Sequence, residues 1–187
     1  MKASSIAFGG ILTAISVILL YLTRLIPTNT LTLLALLSFI PPIALMEKGL
    51  KIAVLVYICT AISSFLFAPL NISLLYILLF GIYGIIKGFI ERMNRPLIEV
   101  ILKLVFFNIA FLVTFFLFKG LLGIDFESIF NKFLSYFSHD LLNSTSKFVI
   151  IYLLFQPAFL IYDYALTLLV GYYDDYIKKY IKQGFTK

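Results

Sequence analysis

Charge, cysteine, histidine and tryptophan are all scarce in this chain, and each scarcity removes a class of protein. Only 13% of the 187 residues are charged, whereas 62% are hydrophobic and the mean hydropathy is +1.06. That leaves too little polar surface to cover a soluble globule. A single cysteine, Cys59, sits inside an apolar run, so no intramolecular disulfide is possible and no redox compartment follows. The single histidine, His139, stands beside Asp140 in a loop and reads as an ordinary surface residue. Phosphate-binding glycine loops, metal-ligand clusters and nucleophile triads are all missing. Catalysis, a metal site and a cofactor are therefore not expected, and energy for any active transport must come from a partner or an ion gradient. With no Trp and abundant Phe, Ile, Leu, Lys and Tyr, the composition hints at an AT-rich bacterial genome.

What the chain does have is six apolar segments, over about 3–23, 29–46, 50–67, 71–90, 97–118 and 148–171. The first is long enough to cross a hydrocarbon core of about 30 Å at about 1.5 Å per residue. It follows a single Lys2, has no convincing cleavage site, and reads as a retained helix rather than a signal peptide. Pro41 and Pro42 should break and kink the second. The net charge of +6 is sorted by loop. Lys2, Lys48, Lys51, Lys87, Arg92, Arg95, Lys103, Lys178, Lys179, Lys182 and Lys187 fall on one side, and Arg24, Lys119, Lys132 and Lys147 on the other. The positive-inside rule puts the crowded side, and both termini, in the cytoplasm. This charge reads as a topology signal and as contact with anionic lipid, not as a nucleic-acid footprint. The expected fold class is an all-α integral membrane protein: one transmembrane domain over 1–187, six helices, both ends cytoplasmic, in the plasma membrane. The outer loop 119–147 repeats Phe126, Phe130, Phe133, Phe137 and Leu141 at helical spacing, with Asp125 and Glu127 at its start. A short amphipathic helix between helices five and six is expected there, lying in the headgroups or acting as a lid.

Polar residues within apolar spans are costly unless paired or wetted, so they mark structure or function. Segment six carries Tyr152, Gln156, Asp163 and Thr167 on one face. Segment four carries Ser73, Tyr76, Phe80, Tyr83 and Lys87 on one face, and segment five carries Lys103, Asn108 and Thr114. Converging faces would line a polar cavity; the alternative is ordinary hydrogen bonding between helices. Asp163 and Lys103 lie at similar depth on consecutive antiparallel segments and should form an intramembrane ion pair, with Lys87 the second candidate partner. Small residues mark close helix contact. Gly81, Gly84 and Gly88 read as packing inside the chain, and Ala3, Ala7, Gly10 and Ala14 form a smooth stripe on segment one.

Six spans in under 200 residues, both ends cytoplasmic and no ATP site resemble the S component of energy-coupling factor (ECF) transporters, the substrate-binding membrane subunit. In that family an AxxxA-type motif on the first helix docks onto a transmembrane coupling subunit. Ala3-Ser4-Ser5-Ile6-Ala7 matches it literally, and Gly10 to Ala14 is an offset variant. The resemblance implies a small solute, such as a vitamin or other micronutrient, captured from outside by helices four to six and the outer loops. It implies two ABC-type ATPases and the coupling subunit as partners. Substrate-contact candidates are then Arg24, Asn71, Ser73, Tyr76, Asn108, Thr114, Tyr152 and Gln156, with Lys119 and Lys147 reaching in from the loops. Apart from the loop cations this set is uncharged, which suits a compact, weakly charged or apolar ligand. Two other readings stay open. Small six-span proteins resembling the rod-shape-determining membrane scaffold subunit bind proteins rather than solutes. A proton- or cation-coupled carrier centred on Asp163 would have to dimerise to build two access paths.

Overall fold

The computed structural model describes residues 2–93, 95–123 and 144–177. Among the described residues the chain is helical throughout, with no strand. Six helices are long and apolar enough to span a membrane, the architecture of a multi-pass membrane protein. We number them α1 (Ala3–Leu25), α2 (Thr30–Lys48), α3 (Leu50–Phe67), α4 (Leu70–Leu75 and Gly81–Ile90, joined by the π turn Tyr76–Phe80), α5 (Pro96–Leu122) and α6 (Ser144–Tyr172, followed by the π turn Tyr173–Ile177). These bounds reproduce the hydropathy segments, with α5 running further and α6 starting earlier than expected. The aromatic repeat expected as an outer-loop helix, His139 with it, lies outside the described residues.

The connections follow from local chemistry. Gly49 alone separates α2 from α3, at φ +81°, a left-handed conformation that favours glycine. Pro27 opens a short 3-10 turn between α1 and α2, and Pro96 sits in the first turn of α5, where its missing N–H costs nothing. On α1, Gly9, Leu12, Ser16, Leu20 and Thr23 recur at steps of three and four and form the buried face, packed on α2 and α3. The opposite surface of the bundle is apolar and exposed, with Ile11, Ile62 and Leu66 on it, as helices facing lipid require.

Helix α2 is the hub, in contact with α1, α3, α4 and α6. The expected break at Pro41 and Pro42 does not occur: the helix runs through both, and both are buried. A proline in a spanning helix is tolerated where neighbours fill the disturbed turn, and α4 does so. A Cβ on Gly84 would lie 2.5 Å from the Pro42 ring and 2.9 Å from the Ser38 carbonyl oxygen, so the bare glycine lets α4 close over the proline turn. Gly81 and Gly88 are equally crowded, against Tyr57 and Leu45, which bears out the internal-packing reading of all three glycines.

The π turn in α4 has the largest consequence. An extra residue in one turn rotates everything after it by about 100° relative to a regular helix. It also frees a carbonyl, and the Tyr57 hydroxyl on α3 donates to that of Ile77 at 2.9 Å. Ser73 and Tyr76, before the turn, therefore face α3: Ser73 Oγ donates to the Ser64 carbonyl at 2.7 Å, and the Tyr76 ring lies 6.3 Å from that of Tyr57. Tyr83 and Lys87, after it, face α5 and α6. The single polar face expected on segment four is thus two faces.

Candidate functional site

Three arrangements lie between α4, α5 and α6. The first is a closed ion cluster. Lys103 Nζ on α5 donates to Asp163 Oδ2 on α6 at 2.9 Å, as expected of that pair. Lys87 Nζ on α4, the second candidate, also pairs, donating to Asp163 Oδ1 and, at 2.7 Å, to the Thr167 hydroxyl. Asp163 thus takes both lysines, one on each oxygen. Glu91 bridges the same two, 2.9 Å from Lys87 and 3.0 Å from Lys103. The Tyr83 hydroxyl completes the shell, donating to Asp163 Oδ1 at 2.5 Å. Two cations and two anions cancel, which is what burial of the lysine side chains at 3% and 8% exposure requires. Sequence reasoning did not include Glu91 in the pair; its i, i+4 spacing from Lys87 and the surplus of one lysine over Asp163 were the available signals. Lys87 and Lys103 are also bundle residues rather than loop charges, so nine basic residues remain on the crowded side against four.

Further along α5 and α6 lies a polar knot. The amide oxygen of Asn108 accepts from the Tyr152 hydroxyl and from Gln156 Nε2 at 2.9 Å, while its amide nitrogen donates to the Leu104 carbonyl at 2.8 Å. The pairings Lys103–Asp163 and Asn108–Gln156 run in opposite chain directions, so α5 and α6 are antiparallel. These three residues, expected to contact substrate, instead satisfy one another across the helix interface.

The third arrangement is a cavity of about 420 Å³ between α2, α4, α5 and α6. Leu31, Leu75, Phe118 and Phe155 lie toward the end of the bundle that carries Thr28 and Pro69, and Tyr83 toward the other end, where the ion cluster sits. Large rings hold its walls apart: Phe107 and Phe159 stack at 4.4 Å between centroids, and Phe159 meets Tyr83 edge-on at 5.1 Å. It is an aromatic cavity rather than a polar one: of the two alternatives for the polar faces, hydrogen bonding between helices is what the cluster and the knot show.

Of the eight expected substrate contacts, only Thr114 lines this cavity. Arg24 and Asn71 are exposed at the Thr28–Pro69 end, and Ser73 and Tyr76 are held against α3. Lys119 is exposed in the last turn of α5. Tyr83 and the phenylalanines of α5 and α6 were the missed lining residues; their repetition in both segments was the signal.

The small-residue stripe on α1 faces outward. Ala3, Ala7, Gly10 and Ala14 are all exposed, and a Cβ on Gly10 meets nothing within 4 Å, whereas one on Gly9 meets Ile52 at 3.2 Å. The stripe is therefore not used for packing among the described residues. No family model, curated protein or solved structure matches the chain.

Proposed function

We propose that this chain is the membrane-embedded substrate-binding subunit of an uptake transporter of the energy-coupling factor type. It sits in the bacterial plasma membrane with both termini cytoplasmic, captures a small solute from outside, performs no catalysis, and depends on a coupling subunit and two ABC-type ATPases for transport. The observation that carries the reading is the pairing of a cavity between the helices with an unpacked smooth stripe on α1. A stripe that buries nothing among the described residues suits backbone-close docking of another helix, the way small residues associate helices in lipid. The cavity suits a ligand rather than a protein, since it lies inside the bundle. Asp163 serves as a structural tie, with both its oxygens held by lysines.

A second reading, a scaffold resembling the rod-shape-determining membrane subunit, is favoured by one observation: Asn108, Tyr152 and Gln156 act as internal glue. A pull-down from native membranes separates the two. Co-purification of two ABC-type ATPases and a coupling subunit is expected, and cell-wall assembly proteins in their place refute the transporter reading. Ala7→Trp or Gly10→Trp should abolish that co-purification while the isolated chain stays folded.

A further inference from the structure

Granted the substrate-binding reading, the chemistry of the cavity narrows the ligand. Among the described residues its lining contains no Asp, Glu, Lys, Arg or His. The Asp163 carboxylate stands behind the Tyr83 hydroxyl and is already neutralised by Lys87 and Lys103. An ion entering there would lose its hydration and find no counter-charge, a cost of several kcal/mol. Such a lining suits a neutral occupant. At roughly 30 Å³ per water in the liquid, the volume holds about fourteen water-sized atoms, enough for two or three fused rings.

Two hydroxyls among the lining residues, those of Thr114 and Tyr162, have no hydrogen-bond partner among the described residues. Thr114 is 7% exposed, and its hydroxyl finds no hydrogen-bond partner among the described residues. Hydroxyls in spanning helices ordinarily bond back to the carbonyl four residues earlier. Thr13, Ser16 and Thr167 of this chain all do so, but Thr114 does not. Around it stand Phe107, Phe111, Phe115, Phe118 and Phe155, whose edges and faces suit another flat ring. A flexible acyl chain would lose rotamer freedom and leave the hydroxyls unpaired. We propose that the cavity binds a small, uncharged aromatic molecule whose polar group hydrogen-bonds to one of its two spare hydroxyls, Thr114 Oγ1 or that of Tyr162.

Indole is the probe. The chain has no Trp, so indole excited beyond tyrosine absorption reports its own environment. With the full-length protein in phosphatidylcholine nanodiscs, a saturable blue shift of indole emission is expected. Ala158→Phe on α6 and Ala35→Phe on α2 fill the cavity from opposite walls and should each abolish saturation in the same nanodiscs; either one that folds serves. Thr114→Val combined with Tyr162→Phe should weaken indole about fivefold but leave displacement by indene, which lacks the N–H, unchanged. Tryptamine and indole-3-acetate, charged at neutral pH, should bind at least about tenfold more weakly than indole. The proposal is overturned if the filled variants bind indole as the wild type does, if the charged analogues match it, or if native mass spectrometry finds a phospholipid that indole does not displace. Loss of indole binding with partner ATPases still co-purifying would sink only the ligand class. Indole binding without those partners would sink the transporter reading instead.

Discussion

Replacing Asp163 by Asn tests whether the buried ion cluster holds the bundle together. The substitution keeps size and one acceptor but removes the charge that faces two lysines. Lys103 lies seven residues into α5, about 10 Å from its start at about 1.5 Å per residue, and its side chain is 8% exposed. At the 2.9 Å Lys103–Asp163 separation and an effective dielectric of about 20, the attraction is about 6 kcal/mol before desolvation is subtracted. Removing one partner of a buried pair typically costs about 3–5 kcal/mol, because the other is left uncompensated. Asp163→Asn leaves two lysines sharing Glu91, a net charge of +1 in the interior. Lys103→Met leaves −1, with Asp163 and Glu91 sharing Lys87. The double variant leaves the neutral Lys87–Glu91 pair at 2.9 Å.

Each single variant is therefore expected to lose about 3–5 kcal/mol, and the double variant to lose at least about 2 kcal/mol less than their sum. The assay is reversible unfolding in mixed micelles with increasing SDS, followed by helical circular dichroism. Losses additive to within about 0.5 kcal/mol would show that the two residues do not interact, and the cluster would be an accident of proximity. Glu91→Gln is the internal control. Its side chain is 36% exposed, so solvent screens it and a loss of no more than about 1 kcal/mol is expected.

Gly84→Ala should destabilise by about 1–3 kcal/mol, because its Cβ would overlap the Pro42 ring and the Ser38 carbonyl oxygen. Gly10→Ala in the same SDS titration should not destabilise at all, and an equal loss at both glycines would refute the packing assigned to α1. Tyr83→Phe removes the hydroxyl bonded to Asp163 and should cost about 1.5–3 kcal/mol; no loss by the same titration would mean the two lysines satisfy the carboxylate alone. In a chain with Cys59 replaced by Ala, cysteines introduced as Lys48→Cys and Arg95→Cys should label only from the cytoplasm, and Thr28→Cys and Pro69→Cys only from outside. Labelling of Pro69→Cys from the cytoplasmic side alone would overturn the orientation.

Spans were legible in the sequence because hydropathy and the punctuation by Pro27, Gly49, Pro69 and Pro96 are local signals. The Asp163–Lys103 pair was legible because an ion in hydrocarbon must find its complement, whatever the helix arrangement. Glu91 escaped because a residue at a span boundary can belong to loop or interior, and only its partners decide. Pro41 and Pro42 misled because the break they threaten depends on a residue about forty positions away, Gly84, and no local pattern connects the two.

The cavity was hidden by a single turn. A regular 3.6-residue period places Ser73, Tyr76, Tyr83 and Lys87 in one line, and nothing in the residues themselves reports the π turn at Tyr76–Phe80. What stabilises that turn comes from another helix: the Tyr57 hydroxyl takes the freed Ile77 carbonyl, and Gly81 leaves space for the Tyr57 and Tyr76 rings. The rotation of about 100° that follows explains both outcomes at once. It keeps Ser73 and Tyr76 on α3, away from any ligand, and it turns Tyr83 so that one side of its ring closes the aromatic cavity while its hydroxyl reaches Asp163. On a regular helix, with Tyr76 still packed on α3, Tyr83 would face α3 as well, and the cavity and the ion cluster would share no residue.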